Sequence, residues 1–185
     1  MCGKTVDMNW LADRGLQVVG LDIALEALVQ FMTDSGHNWS AQAAPKLGPT
    51  AKLFTRDDGK IKLYCGDAFN FSSALEGQFD AIYDCDGFHS FTGSLFQNMA
   101  NVMKEVLAPG GRFLLDAVNY DPKMLERDDL NIEAAIPPPY PVTVEAMRNA
   151  FEPECEVELL ETHIETKVFC LTETPFNAYL VKKQE

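Results

Sequence analysis

Three aspartates in this 185-residue chain stand where a nucleotide-binding sheet needs acids: Asp22 after VVGL, Asp67 after KLYCG and Asp84 after FDAIY. A carboxylate just beyond a buried strand can accept from ribose hydroxyls or an exocyclic amine, and open α/β sheets take ligands at the carboxyl ends of their strands. Asp22 follows Gly3 by 19 residues, the spacing at which an acid reaches the ribose of a nucleotide approached by a glycine backbone. Gly3 has no Cβ to keep a ligand away. Asp67, in a Gly-Asp-Ala turn, is placed to accept from an amine such as that of adenine. One such aspartate is weak evidence, because most of them cap the turn that follows. Three in order carry more.

The glycines limit the cofactor. Only Gly3 precedes the first helical segment, so Gly-x-Gly-x-x-Gly is absent, and Lys4-Thr5 follows no Gly-rich span. A pyrophosphate-bearing cofactor, and with it a nicotinamide-dependent enzyme, is disfavoured, while a nucleoside cofactor without phosphates fits. The net charge of −13, from 28 acids against 15 bases, repels phosphate backbones and anionic lipid, which argues against nucleic acid and membrane as partners. Cys2, Cys65, Cys85, Cys155 and Cys170 make an odd set without Cys-x-x-Cys, and His37, His89 and His163 are scattered. Neither a disulfide framework nor a metal site is expected, and a reducing, cytoplasmic compartment fits. No run approaches the roughly 20 apolar residues of a membrane span.

The elements that would position these residues alternate. Residues 5–14 predict a helix with Val6, Trp10 and Leu11 on one face, closed by Gly15. QVVGLDI reads as a strand buried on both faces, and residues 24–34 as a helix with Leu25, Leu28, Val29 and Met32 at helical spacing. Residues 35–49 read as a loop containing Trp39. AKLFTRDDGKIKLYC reads as a hairpin about Asp58-Gly59 whose second arm also joins the main sheet. FDAIYD is a further buried strand, residues 94–107 an amphipathic helix, and GRFLLDAVNY a strand. A Pro-bearing connector (121–141) leads to a helix opened by Thr143 and a closing antiparallel strand pair. The fold class is therefore α/β, one doubly wound, mostly parallel twisted sheet with helices on both faces, in a single domain.

LAPGGRFLL (107–115) resembles the late motif of class I S-adenosylmethionine-dependent methyltransferases, with a Pro-stopped helix and a glycine reversal into the sheet. CGKTVDMNWLADRG, VVGLDI, KIKLYCGDAF, FDAIYD and NYDP, in that order, resemble the thiopurine S-methyltransferase family. Met1-Cys2-Gly3-Lys4 matches the end of the family's Pro-Leu-Cys-Gly-Lys start, and Pro138-Pro139-Tyr140 its late Pro-Pro-aromatic segment. The family's N-terminal helix and first sheet strand have no counterpart after Met1, so the expected sheet lacks its first strand.

The resemblance implies S-adenosyl-L-methionine as cofactor. Met1 and Gly3 would lie beside its methionine part, Asp22 and Ile23 at the ribose, Asp67 and Ala68 at the adenine, and Asp84 and Cys85 near the sulfonium. Pro139 and Tyr140 would line the acceptor pocket. The implied activity is methyl transfer to a small thiol or other soft nucleophile by a monomer whose partner is a small-molecule acceptor. The alternative is a methyltransferase-fold protein without turnover. One departure is plain: Asp84-Cys85-Asp86-Gly87 stands where the family has Asp-Arg-Gly, and a cysteine supplies none of the arginine's charge. Cys85 and His89 otherwise read as inert packing and a surface-loop histidine, and Trp10 as helix core.

Overall fold

The computed structural model describes residues 1–121, 138–166 and 173–185. Most of the 121–141 connector, and Cys170, lie outside them. The chain divides into two compact units, residues 1–75 and 76–185.

In the first unit, α1 (Asp7–Asp13), β1 (Val18–Asp22), α2 (Leu25–Asp34), β2 (Trp39–Ala43), β3 (Lys52–Arg56) and β4 (Ile61–Cys65) follow in order. The strands lie as β1-β4-β3-β2. β1 runs parallel to β4, Val18 beside Ile61 and Asp22 beside Cys65, and the hairpin β3–β4 turns at Gly59, whose φ is +72°. The expected double use of IKLYC, as hairpin arm and as sheet strand, is what the register shows. The core joins Met8 and Ala12 of α1 to Leu28, Phe31 and Met32 of α2 and to Phe54, Ile61 and Leu63 of the sheet.

α1 turns the opposite face inward from the one its large apolar residues suggest. Val6 and Trp10 are 78% and 53% exposed, while Met8 and Ala12, one turn apart, are buried. Trp10 instead carries the Arg14 guanidinium over its ring at 3.6 Å, one turn on, a surface pairing that suits both groups. Small and flexible residues go inward because the helix packs close to β1. There the absent Cβ of Gly20 would stand 2.6 Å from Leu63 and 2.9 Å from the Cys2 sulfur.

The expected loop at 35–49 contains β2, exposed along its length and antiparallel to β3. Its WSAQA sequence has no buried face to announce a strand, because backbone pairing with β3 holds it. Trp39 adds an edge-to-face contact with Phe54 at 5.7 Å. Arg56 of β3 is buried, donating twice to Asp58 (2.9 and 2.7 Å) and to Asn9 Oδ1 of α1 (3.1 Å).

A single turn, α3 (Ser73–Glu76), precedes β5 (Phe79–Cys85), α4 (Gly93–Val106), β6 (Leu107–Val118), α5 (Val144–Phe151), β7 (Cys155–Thr166) and β8 (Glu173–Lys183). Their sheet is ordered β5-β6-β8-β7, parallel at β5–β6 and antiparallel elsewhere. Each unit thus carries one parallel strand pair, and the closing β7–β8 pair is antiparallel as expected. Phe88 packs on Phe96, Phe113 and Phe151 at 4.8–6.0 Å, joining the sheet to α4 and α5. Thr143 caps α5 by accepting from the Ala146 amide at 3.1 Å. β5 is not a buried strand: it is the edge of its sheet, with Tyr83 54% exposed. Among the described residues no helix is long and apolar enough to cross a membrane.

Candidate functional site

In the first unit the loop before α1 is bonded to the end of β1. The Gly3 amide donates to Asp22 Oδ2 at 2.7 Å, the Ala24 amide to Asp22 Oδ1 at 2.9 Å, and the Cys2 amide to the Leu21 carbonyl at 2.9 Å. Gly3 holds φ +50°, and a Cβ there would meet nothing within 4 Å. The conformation calls for glycine and leaves open space beside the Asp22 carboxylate. Each carboxylate oxygen has a second acceptor site beyond the backbone amide it already takes. Burial, then the nearby Asp22, pushes the Cys2 thiol up to about 12, so Cys2 is packing and not a nucleophile. Met1 and Ile23 are exposed on either side of this cradle in sequence.

Asp67 follows β4 by two residues, on the strand paired with β1, and the Gly66 amide donates to the Asp22 carbonyl at 3.0 Å. The two acids therefore share one carboxyl end of a parallel pair. Asp67 Oδ1 accepts from the Phe69 amide at 2.9 Å and caps a short turn over Ala68–Asn70, with Ala68 buried. The ordinary capping role of an aspartate after a strand is thus present, and it occupies one oxygen.

In the second unit Asp84, near the end of β5, caps the turn at Phe88–Ser90, its Oδ1 accepting from the amides of Gly87 (3.1 Å) and Phe88 (2.8 Å). Cys85 is exposed on the edge strand. Even so, desolvation of its sulfur, then Asp86, push the thiol up to about 11, with Asp116 and Asp84 adding to the rise. Asp86 takes φ +66°, a left-handed conformation uncommon outside glycine and tolerated best by Asn and Asp.

His89 is buried, 4% exposed, and not a surface-loop residue. Its Nδ1 accepts from the Val118 amide at 3.4 Å and its Nε2 lies 3.8 Å from Asp86 Oδ1. Burial lowers its pKa, ahead of the opposing effects of Asp86 and Asp84, which favours the neutral ring that the Nδ1 contact requires. The apolar neighbours in Phe88-His89-Ser90-Phe91 were the signal that this histidine turns inward. The His89 carbonyl accepts from the Tyr140 amide at 2.7 Å, and the Tyr120 hydroxyl donates to the Pro139 carbonyl at 2.8 Å. Pro139 and Tyr140 are thereby held at the carboxyl ends of β5 and β6. Asp116 of β6, in register with Cys85, belongs to the same end and was not singled out from sequence.

Comparisons with known proteins bear on the family and the fold of the chain. The family model for thiopurine S-methyltransferase (TPMT) matches residues 1–170. A probable thiopurine S-methyltransferase of Danio rerio is 31% identical over 88% of this chain and 65% of its own length, and the thiopurine S-methyltransferase of Bos taurus 32% identical over 87% and 61%. The chain thus spans less than two thirds of these relatives' length. Among solved structures, a SAM-dependent methyltransferase of Methanosarcina mazei superposes with TM-score 0.67 at 16% identity, covering 99% of this chain and 89% of that one. The glycopeptide N-methyltransferase MtfA, complexed with S-adenosyl-L-homocysteine, gives 0.59 at 15% identity over 98% and 80%. At such identities the structures speak for the fold, which is that of class I methyltransferases. The motifs, the family match over most of the sequence and the relatives above 30% identity together place the chain in the thiopurine S-methyltransferase family.

Proposed function

We propose that this chain binds S-adenosyl-L-methionine and transfers its methyl group to a small acceptor, a thiol or similarly soft nucleophile. The observation that carries the reading is the Gly3–Asp22 hydrogen bond at 2.7 Å, with Asp67 at the same end of the adjoining parallel strand. The donor set fits the cofactor. Asp22 retains acceptor capacity for ribose hydroxyls, Gly3 leaves open space beside it, and Asp67 has an oxygen beyond its cap for an adenine amine. Met1 and Ile23 would flank the methionine and ribose parts, Ala68 the adenine, and Asp84 and Cys85 the end nearest the reacting atoms. Bound there, the cofactor supplies a methyl carbon already activated by a sulfonium.

With the carbon activated, the work left to the chain is alignment and management of the acceptor's proton. Pro139 and Tyr140, tied to His89 and Tyr120, are the candidates for holding the acceptor. Calorimetric titration of the chain with S-adenosyl-L-homocysteine tests the reading, followed by a methyl-transfer assay over small thiols. Micromolar binding with turnover is the expected result. Absence of binding would leave a methyltransferase-fold protein without turnover as the better account.

A further inference from the structure

In the segment from Pro139 to Val142 of the second unit, every backbone amide is committed. Pro139 and Pro141 carry no N–H, so the segment holds two donors, the amides of Tyr140 and Val142. The Tyr140 amide donates to the His89 carbonyl at 2.7 Å and the Val142 amide to the Val118 carbonyl at 2.8 Å. Two of the segment's carbonyls accept from tyrosine hydroxyls, Pro139 from Tyr120 at 2.8 Å and Val142 from Tyr179 at 2.7 Å. Asn177 Nδ2 donates to the Tyr179 hydroxyl at 2.7 Å, and the Thr162 hydroxyl donates to Asn177 Oδ1 at 2.8 Å. The one proton of the Tyr179 hydroxyl is thereby directed to Val142.

His89 joins this segment to β6. β5 pairs with β6 as far as Cys85 beside Asp116. Two residues further along β6, the Val118 amide donates to His89 Nδ1 at 3.4 Å. The bonds close a loop: the imidazole holds Val118, Val118 holds Val142, and the His89 carbonyl holds Tyr140. A ring nitrogen that accepts from an amide is unprotonated, so the neutral imidazole carries its proton on Nε2. The turn that bears His89 is itself fixed. Asp84 Oδ1 accepts from the Gly87 and Phe88 amides, and the Phe88 ring packs on Phe96, Phe113 and Phe151. His89 and Val118 are buried, whereas Pro139, Tyr140 and Pro141 are half-buried and form the part of this frame that a ligand can meet.

We propose that His89 is a positioning residue for the methyl acceptor, fixing through Val118 and Tyr140 the wall against which the acceptor binds. This rests on the methyltransferase reading above and uses the second unit alone. A wall already held by hydrogen bonds does not have to be ordered when the acceptor arrives. Removing the ring acceptor strands the buried Val118 amide and loosens the Tyr140 end of the segment, while Tyr179 still holds Val142.

The test compares His89→Asn with His89→Phe. The asparagine Oδ1 stands as many bonds from the backbone as Nδ1 and accepts from an amide, whereas phenylalanine keeps a ring and loses the acceptor. Amide exchange read by NMR should quicken about tenfold at Tyr140 in His89→Phe and stay near wild type in His89→Asn. The Ala146 amide, bonded to the Thr143 hydroxyl, should exchange alike in all three proteins. Faster exchange at both Ala146 and Tyr140 would make His89 a stability residue only and overturn the proposal. A proton found on His89 Nδ1 in long-range proton–nitrogen spectra of the wild type would also overturn it.

Thiophenol titrated into the S-adenosyl-L-homocysteine-bound proteins, followed at the Tyr140 amide, gives the second readout. Its Kd should rise about tenfold in His89→Phe and about threefold at most in His89→Asn, with S-adenosyl-L-homocysteine affinity equal in all three. Equal weakening in both variants, or none in either, would overturn the role of His89. So would a Tyr140 signal that thiophenol leaves unmoved in the wild type, a result the methyltransferase reading survives. No binding of S-adenosyl-L-homocysteine to the wild-type chain would defeat that reading and the role of His89 with it.

Discussion

The Gly3 amide donates to Asp22 Oδ2 at 2.7 Å, so the glycine ahead of α1 and the acid 19 positions later are in direct contact. The bond sets the carboxylate's orientation, and under the proposed function that would lower the ordering cost of recognising a ribose diol. Asp22→Ala removes that carboxylate and the acceptor for two backbone amides. S-Adenosyl-L-homocysteine affinity should fall about 10- to 100-fold, the equivalent of roughly 1.5–3 kcal/mol for charge-assisted hydrogen bonds. Asp22→Asn, which keeps one acceptor oxygen, should lose less. Calorimetry checks the order, and wild-type affinity in Asp22→Ala would remove Asp22 from the site.

Gly20 makes a separate demand on the same region. A Cβ at this position of β1 would stand 2.6 Å from Leu63 Cδ2, 2.9 Å from the Cys2 sulfur and 3.2 Å from the Met8 sulfur. All three are side-chain atoms: Leu63 belongs to the neighbouring strand β4, Cys2 to the loop before α1 and Met8 to α1, so relief of the overlap disturbs the packing of β1 against each of them. Gly20→Ala should therefore destabilise the chain by about 1–3 kcal/mol, as overpacking does, and should weaken cofactor binding with it. Thermal melts and titration together read both effects. A variant as stable and as tightly binding as the wild type would show that the loop is not held against β1.

The hydrophobic pattern and turn chemistry made most elements of both units legible. QVVGLDI, the Asp58-Gly59 hairpin and the Thr143-capped helix stand within a residue or two of their expected places. Patterning failed where something other than apolar burial decides structure. β2 is held by backbone pairing, α1 turns small residues inward because Gly20 lets it approach, and FDAIYD lies at a sheet edge that its composition does not reveal. For the candidate site, glycine-to-acid spacing pointed to Gly3 and Asp22 because both act through local geometry. The burial of His89 and the approach of His163 Nε2 to Asp116 Oδ2 at 3.7 Å were not foreseen. Asp116 and His163 are 47 residues apart in sequence (163 − 116) and meet only through the β6-β8-β7 order.

Arg56 ties the hairpin to α1 by donating to Asp58 and Asn9. Arg56→Ala removes a buried side chain and strands the Asn9 and Asp58 acceptors, so a loss of about 2–4 kcal/mol is expected in urea unfolding. The pair also fixes a pH dependence. The Arg56 side-chain bonds, then the Lys60 amide, hold Asp58 well below the usual carboxylate range. A depressed pKa in the folded chain means that this contribution is complete above the unfolded value near pH 4 and is lost as pH falls below it. Acid unfolding of Asp58→Asn should therefore lack that part of the pH dependence, while a curve identical to the wild type would deny the pairing in solution.

Cys85 is the position where the chain departs from the Asp-Arg-Gly of the family, and its chemistry follows from its neighbours. Desolvation and the charges of Asp86, Asp116 and Asp84 push its thiol up to about 11. With the ordinary thiol near 8.5, only about one part in a thousand is thiolate at pH 8. Exposure alone would suggest fast alkylation. The expected outcome is the reverse: iodoacetamide should label Cys85 slowly at pH 8, with the rate rising about tenfold per pH unit up to pH 10 and levelling off near 11. Asp86→Asn and Asp116→Asn each remove a charge that opposes ionisation, so each should raise the labelling rate at pH 8. Mass spectrometry of the Cys85 peptide over a pH series measures this. A plateau reached by pH 9 would mean that burial and the neighbouring acids do not act on the sulfur.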